Sequence, residues 1–416
     1  MSEWKEYKLN NFCKVGSSKR IFSSEYVPFG IPFFRSKEII EKSFGESINE
    51  LLFISEERFR EIDSKLGSPK EGDILISSVG ARSGIPYLVK KEDGKFYFKD
   101  GNLIWIKDFS ENLDSNFLLY WFKSNIGQDS FESITIGSAQ PALTIDGISN
   151  LCIKLPDIKT QKIIANILSC LDNKIDNLRR QNETLEKIAQ TLFKHWFIDF
   201  EFPNNDGKPY KSSGGVMVAS ELGDIPAGWT TKPLDEIADF LNGLALQKYP
   251  PDNENNFLPV IKIKELRTGV TNATDRASTN IPEKYIIDNG DIIFSWSGSL
   301  DVVIWNFGKG ALNQHLFKVN SHNYPKWLYY YWTLNHLQSF QHIAKSKATT
   351  MGHIQRKHLT EALCNVPNDN FLEKASEVFS PILQKIINNA QQIQTLTKTR
   401  DALLPKLMSG QLRVKD

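Results

Sequence analysis

The sequence predicts an α+β protein: two β-rich, mixed α/β domains separated by two long antiparallel coiled-coil helices, arranged as a pseudo-twofold internal repeat. Three observations carry this expectation. Blocks of sequence recur at an offset of about half the 416-residue chain. In each copy a short β-type run follows a Gly-Asp turn signal. Each copy closes on a stretch of apolar residues at heptad spacing.

The repeat is read block by block. Trp4-Lys5 through Lys8-Leu9 is echoed by Trp229 through Lys232-Pro233-Leu234, an offset of 225. Pro32 through Ile39 matches Pro259 through Leu266 at 227, and Gly72 through Ser77 matches Gly290 through Ser295 at 218. Phe117 through Phe122 matches Trp327 through Trp332 at 210. Beyond that the offset holds at 211, from Ile148 and Leu359 to Leu192 and Leu403. The offset drifts in the first part of each copy and is constant in the last. The globular parts have tolerated insertions and deletions; a helix that must keep an apolar seam in register cannot.

In the globular parts, Gly72-Asp73 introduces the run Ile74 to Val79, and Gly290-Asp291 repeats the pattern. The aromatic segments 117–125 and 327–338 read as ordinary core helices packed on a sheet.

The heptad segments span 158–200 and 368–416. In the first, Ile164, Leu171, Leu178, Leu185 and Leu192 recur every seven residues, with Leu168, Ile175, Asn182, Ala189 and Trp196 between them. The second has Ala375, Ile382, Asn389, Leu396 and Leu403, with Phe379, Ile386, Ile393, Arg400 and Leu407. One Asn in each seam, Asn182 or Asn389, costs stability but fixes register and orientation. Pro381 falls near the start of the second helix, and Pro405 is expected to kink or end it. The domains are accordingly 1–157 and 229–367, and 201–228, rich in Gly, Pro, Ser, Asn and Asp, is a long turn-containing connection. A whole domain lies between the two helices, so they can pair antiparallel within one chain and carry a domain at each end. The other reading is a seam for a second partner. A helix of about 40 residues is about 60 Å long, somewhat under 20 base pairs of DNA.

Composition narrows the function. Hydrophobic residues make up 40% and charged residues 24%, as in soluble globular proteins. No apolar run is long enough for a membrane span, and the first ten residues lack the apolar core of a signal peptide. Cys13, Cys152, Cys170 and Cys364 form no CxxC pair, which argues against a disulfide framework or zinc site and fits a reducing cytoplasm. The net charge of +1 does not advertise a nucleic-acid binder. The chain contains no phosphate-binding GxxxxGK[ST] loop, no HExxH, no GxSxG, and no Asn/Asp-Pro-Pro-aromatic loop for a flipped base. The seven histidines offer no convincing metal-ligand pair; His353 and His358 come nearest. Asp93-Gly94-Lys95 and Asp206-Gly207-Lys208 are D-x-K triplets without a partner PD pair.

At this point the residues match a known family. Leu155-Pro156 with Gln161-Lys162-Ile163-Ile164, then Leu171-Asp172-Asn173-Lys174-Ile175 and Leu192-Phe193-Lys194 with Trp196-Phe197 are specific to it. So are the linker end Ser220-Glu221-Leu222-Gly223-Asp224-Ile225-Pro226 and the C-terminal Arg400 through Gly410. Over essentially its whole length the chain resembles the specificity subunit of type I restriction–modification systems. The resemblance implies two target-recognition domains, each reading one half of a bipartite, asymmetric site on double-stranded DNA. It implies paired helices that set the half-site spacing and dock two methyltransferase subunits, with restriction subunits joining that core. It also implies a cytoplasmic, non-catalytic chain without a cofactor of its own, with S-adenosylmethionine, ATP and Mg on the partners. Two departures bear on equal behaviour of the halves. Arg400 stands in the seam where the first copy has Ala189, and Thr349 through Ile354 replaces Ser138 through Leu143.

Phosphates and base edges call for Lys, Arg, amides and hydroxyls. The matched loops carrying Ser138 and Gln140, and Lys345, Lys347, Thr349 and Thr350, are the first candidates, followed by Arg82. Ser78 and Ser297 sit in Gly-containing turns after the Gly-Asp strands; the alternative there is a plain surface turn. Arg35 with Lys37, and Lys262 with Lys264, alternate as on one face of a strand, facing either a groove or solvent. The helix-pairing seam is assigned to Ile164, Leu171, Leu178, Asn182, Leu185, Leu192, Ile382, Ile386, Asn389, Ile393, Leu396 and Leu403. An enzyme with an unrecognised site and a coiled-coil protein that binds no nucleic acid are the competing readings. Methylation by the isolated chain would favour the first of these, and absence of salt-dependent DNA binding the second.

Overall fold

The computed structural model describes residues 4–46, 48, 50–137, 141–251, 253–346 and 352–414. The chain divides into two compact units. One comprises Met1–Asp176 with Leu396–Asp416, the other Asn177–Thr395. Each unit therefore contains a part of each long helix.

In the first unit, strands Lys14–Gly16, Leu103–Lys107, Ile74–Ser77 and Pro86–Leu88 form, in that order, an antiparallel sheet. A second sheet runs Tyr26–Val27, Leu52–Ile54, Ile31–Phe34 and Tyr97–Phe98, its last pair parallel. Lys5–Lys8 pairs with Cys152–Leu155 to close the domain where the central helix begins. The second unit repeats this frame. Its first sheet runs Asp239–Asn242, Leu316–Asn320, Ile292–Ser295 and Asp301–Ile304, and its closing ribbon joins Thr230–Pro233 to Leu363–Val366. The second sheets share a three-strand core, but the fourth strand lies on opposite edges. Tyr26–Val27 is added beside Leu52–Ile54 in the first unit, whereas Ile286–Ile287 is added beside Gly310–Leu312 in the second.

The Gly-Asp signals work as turn chemistry predicts. Gly72 and Gly290 adopt φ of 90° and 87°, a region open to glycine at no steric cost. Each following Asp then locks its turn. The Asp73 carboxylate accepts from the Lys70 amide (2.9 Å) and from the Trp105 indole (2.8 Å). The Asp291 carboxylate accepts from the Asp288 amide (2.8 Å) and pairs with Lys318 (2.8 Å), which stands where the first copy has Trp105.

The aromatic segments are core helices, but they differ between copies. In the first unit Ser115–Lys123 breaks before Asn125–Ile134; in the second one helix runs Lys326–Ser346. Ser124 causes the break. Its extended backbone starts a new helix and its hydroxyl accepts from the Gly127 amide (3.3 Å). A Cβ at Gly127 would lie 2.1 Å from the Trp121 carbonyl oxygen, so the sharp turn requires glycine. The matched positions are Leu334 and Leu337, which continue the helix.

The central helix runs Ile158–Phe193 and ends in a wider turn, Lys194–Ile198. The C-terminal helix runs Asp369–Met408 and includes Pro381 and Pro405. Of the kink or end expected at Pro405, the end is corrected, since the helix continues to Met408. Leu407 and Met408, at 1% and 2% exposure, are anchored in the first unit's core and hold the last turn in place. The connection 201–228 is more ordered than its composition suggests. Met217–Ser220 and Gly223–Pro226 form a hairpin, and Phe202 stacks on Trp229 and Tyr210.

Within each unit the helix segments are antiparallel. In the second unit Asn182 Nδ2 donates to the Ile386 carbonyl (3.0 Å) and Asn389 Nδ2 donates to Asn182 Oδ1 (2.9 Å). Further along, Phe193 meets Phe379 and Trp196 meets Phe371. Numbers rise on one helix as they fall on the other. Of the seam residues, Ile164, Leu178, Ile386 and Asn389 are buried, while Leu171, Asn182, Leu185, Leu192, Ile382, Ile393, Leu396 and Leu403 are half-buried.

In the first unit the seam position that departs from the apolar pattern is satisfied by charge. Arg400 Nη1 donates to Asp172 Oδ1 (2.8 Å), and the Tyr120 hydroxyl donates to Asp172 Oδ2 (2.8 Å). Lys123, half-buried nearby, has its ammonium pKa lowered by burial. The matched residues of the second unit are Leu383 and Ala189, at 3% and 0% exposure. Asp172→Leu alone, which leaves half-buried Arg400 with Asp401 as its remaining carboxylate and removes the acceptor of the Tyr120 hydroxyl, is expected to destabilise the first unit by about 2 kcal/mol. Adding Arg400→Ala recreates the apolar pair and should recover most of that loss, measured by urea unfolding of both variants.

Candidate nucleic-acid interface

The described parts of the loops singled out by sequence lie at one end of the first sheet in each unit, and the same backbone bonds shape both. In the first unit Gly80 N donates to the Pro141 carbonyl and Leu143 N to the Ser78 carbonyl, at 3.0 and 2.8 Å. In the second, Gly298 N donates to the Gly352 carbonyl and Ile354 N to the Trp296 carbonyl, at 2.8 and 3.1 Å. The loop after the Gly-Asp strand is thereby tied to the loop preceding the closing ribbon.

A buried serine shapes each loop from inside. Ser77 Oγ donates to the Arg82 carbonyl (2.6 Å) and accepts from the Ile85 amide (3.0 Å). Its match, Ser295, donates to the Ser299 carbonyl (2.7 Å) and accepts from the Asp301 amide (2.8 Å). Both side chains are fully buried. A hydroxyl can do both jobs because it is donor and acceptor at once.

The strand-face reading of Arg35, Lys37, Lys262 and Lys264 is corrected. Strands end at Phe34 and Ile261, and these residues start helices Ser36–Phe44 and Ile263–Thr268. The reason is a Glu three residues on: Glu38 accepts from the Arg35 amide (2.7 Å) and Glu265 from the Lys262 amide (3.2 Å). Burial would raise the Glu38 pKa, but the Arg35 side chain and backbone hydrogen bonds hold it below the usual value. Arg35 is thus committed to Glu38, and Lys262 pairs with Asp275. Lys37 and Lys264 are exposed on the first helical turns. In the first unit the helix start adjoins the loop, since Ser36 Oγ donates to the Asn102 carbonyl (2.8 Å), which also accepts from Ser78 N (3.0 Å).

The remaining candidates divide. Ser78 and Ser297 are buried, bonded to the Gly101 carbonyl (3.3 Å) and to His315 Nδ1 (3.2 Å), and so shape the rim rather than project from it. Arg82 is exposed, its guanidinium over the Phe44 ring. Lys345 is exposed and lines a cleft of about 480 Å³ with Gly298, Ser299, Leu300, Gln341, Ala344 and Gly352. Ser138, Gln140, Lys347, Thr349 and Thr350 lie outside the described residues.

The second unit also has a cluster that sequence reasoning missed. Trp296 packs against His315, Phe317 and His353, with ring centroids 5.8 to 6.3 Å apart, and its indole donates to Asn242 Oδ1 (3.0 Å). Arg267 Nη2 donates to Ser299 Oγ (2.5 Å). The first unit has Ser17, Ser78, Asn102 and Ala142 where the second has Asn242, Trp296, His315 and His353. Aligning the copies position by position would have exposed this difference. Among the described residues, no group of three or more His, Cys, Asp or Glu could hold a metal ion.

A family model described as "Type I restriction modification DNA specificity domain" matches residues 1–187 and 226–398. The chain belongs to this family. The specificity subunit of the type I restriction enzyme MjaIX of Methanocaldococcus jannaschii is 29% identical over 426 residues, covering 100% of this chain and 94% of the relative. The HindI specificity subunit of Haemophilus influenzae is 22% identical over 471 residues, covering 99% and 100%. The crystal structure of the type I S subunit from M. genitalium shares the fold, with a TM-score of 0.59 at 17% identity, covering 98% of this chain and 96% of that one. The two matched spans of this specificity-domain protein each contain a whole copy of the two-sheet frame and its loop rim.

Because the Ser295 hydroxyl holds the loop 296–301 from inside, Ser295→Ala should loosen it by about 1–2 kcal/mol. The expected readout is about five- to thirtyfold faster hydrogen exchange at the Asp301 amide, with the first unit's Ile85 amide unchanged.

Proposed function

We propose that this chain is the DNA sequence-recognition subunit of a type I restriction–modification complex, each unit reading one half of a bipartite, asymmetric site. The observation that carries the reading is the duplicated frame with unlike rims. Two copies of one specificity domain hold their loops by the same backbone bonds, yet the rim that carries Trp296, His315 and His353 in one copy has the small residues Ser78, Asn102 and Ala142 at the matched positions of the other, Ser78 turned inward. Readers of two different half-sites would be built in this way: phosphates are held by a shared backbone scaffold, and bases by side chains that differ.

The chain is a specificity subunit and not itself an enzyme, in keeping with the names of its relatives. In this proposal two methyltransferase subunits dock on the paired helices, and S-adenosylmethionine, ATP and Mg act on the methyltransferase and restriction subunits, in the cytoplasm. The antiparallel pairing, fixed by Asn182 and Asn389, would set the gap between half-sites. No described helix is long and apolar enough to cross a membrane.

Two experiments test the reading in the assembled methyltransferase complex. Replacing residues 1–157 by the corresponding domain of another family member should change one half-site of the mapped methylation sequence and leave the other intact; a change in both would sink the assignment. Inserting one heptad beside Asn182 should lengthen the gap or abolish assembly. An unchanged site with an unchanged gap would remove the spacer role.

A further inference from the structure

We infer that the second unit reads guanine in its half-site through Asn242 and Arg267, with Trp296 as the residue that positions the Asn242 amide. This rests on the DNA-recognition reading above and goes beyond it by naming the readers and the base.

The argument starts from the indole. An indole N–H can only donate, so the Asn242 atom 3.0 Å from Trp296 Nε1 must be the carbonyl oxygen. That bond removes the usual ambiguity of an Asn side chain. Oδ1 is turned to the protein, and Nδ2 with its two N–H donors occupies the opposite arm of an exposed side chain. Trp296 is itself a fixed support. It is half-buried, packed between Phe317, His315 and His353, and its backbone carbonyl accepts from Ile354.

Arg267 is placed by a second, separate contact. It sits in the last turn of helix Ile263–Thr268, is exposed, and bonds to Ser299 at the other end of the same loop. Its remaining guanidinium N–H groups are donors only. Both readers on this rim therefore offer donors, and exposed Lys264 and Lys345 add positive charge around them. The base-pair edge that complements paired donors in the major groove is guanine, with acceptors at both N7 and O6. Adenine and thymine each present a single acceptor there, and cytosine presents a donor.

The matched residues of the first unit are Ser17 for Asn242, Ser78 for Trp296 and Ile40 for Arg267. Ser17 donates to the Leu103 carbonyl and Ile40 is buried, so the first unit lacks this donor pair.

The test uses the full chain assembled with its methyltransferase partner, binding a duplex library randomised across both half-sites. The unaltered complex should select guanine at one or more positions of the half-site that follows the second domain in domain-swap experiments. Substituting 7-deazaguanine, which lacks the N7 acceptor, at such a position should weaken binding about tenfold. Asn242→Asp exchanges donors for acceptors and should move the preference at one base pair from guanine toward cytosine. Trp296→Phe, which keeps the ring but not the N–H, should relax discrimination at that same base pair. In both variants selection at the first half-site stays as it was, which reports that the variant is folded and assembled. Uniform weakening over all sequences with a shallower salt dependence would show phosphate contacts instead and overturn the inference. So would a second half-site without guanine. If the unaltered complex selects no sequence at either half-site, the recognition reading itself fails, an outcome separate from the other two.

Discussion

The organisation of this chain depends on an antiparallel pairing of helix segments that a buried amide holds in register. A heptad seam of Leu and Ile buries its surface almost as well after a slip of seven residues. Asn389, fully buried and bonded to Asn182, removes that freedom, because any other register leaves both amides facing hydrocarbon. The first unit adds a charged constraint of the same kind. Asp172 receives hydrogen bonds from Arg400 on the other helix and from Tyr120 in the domain, so one carboxylate joins three elements. The second unit makes the corresponding junction with Leu383, Ala189 and a cluster of aromatic rings in which Phe193 meets Phe379 edge to face. The two copies solve one packing problem with different chemistry, which makes a pairing of either segment with its own duplicate unfavourable.

Around this constraint the globular parts divide labour. Their first sheets keep strand order, Gly-Asp turn and inner serine. Their second sheets keep three strands and differ in where the fourth is added. The shared features hold the backbone of the rim, and among the divergent positions Asn242, Arg267, His315 and His353 are exposed. Arg35 and Lys262 belong to the shared set despite their charge, because their amides and neighbouring Glu38 and Glu265 start the helices that brace the rim.

Much of this was legible in the sequence, and for physical reasons. Repetition, Gly at positive φ and seven-residue periodicity are local signals, and they placed the strands at Ile74 and Ile292 and the helix start at Ile158. The signals that misled were local too, but were outweighed. Pro405 does not end its helix, because burial of Leu407 and Met408 outweighs one missing backbone bond. Alternating cations at 35 and 37 resembled a strand face, while the capping Glu at 38 already marked a helix start. The rim of the second unit was not legible. Asn242, Trp296 and His315 are far apart in sequence and meet only through the sheet, and Arg267 reaches the same loop at Ser299, so no spacing rule joins them.

The buried serines have a consequence for how such a protein changes over generations. Ser77 and Ser295 fix their loops by bonds that point inward, using none of the side chains on the outer surface. A mutation at half-buried Trp296 therefore alters what the loop presents and leaves those inward bonds in place. That separation lets a lineage rewrite its vocabulary one residue at a time while the bonds that hold the loop stay in place. It also explains how two copies that began alike could drift to unlike rims within a single chain.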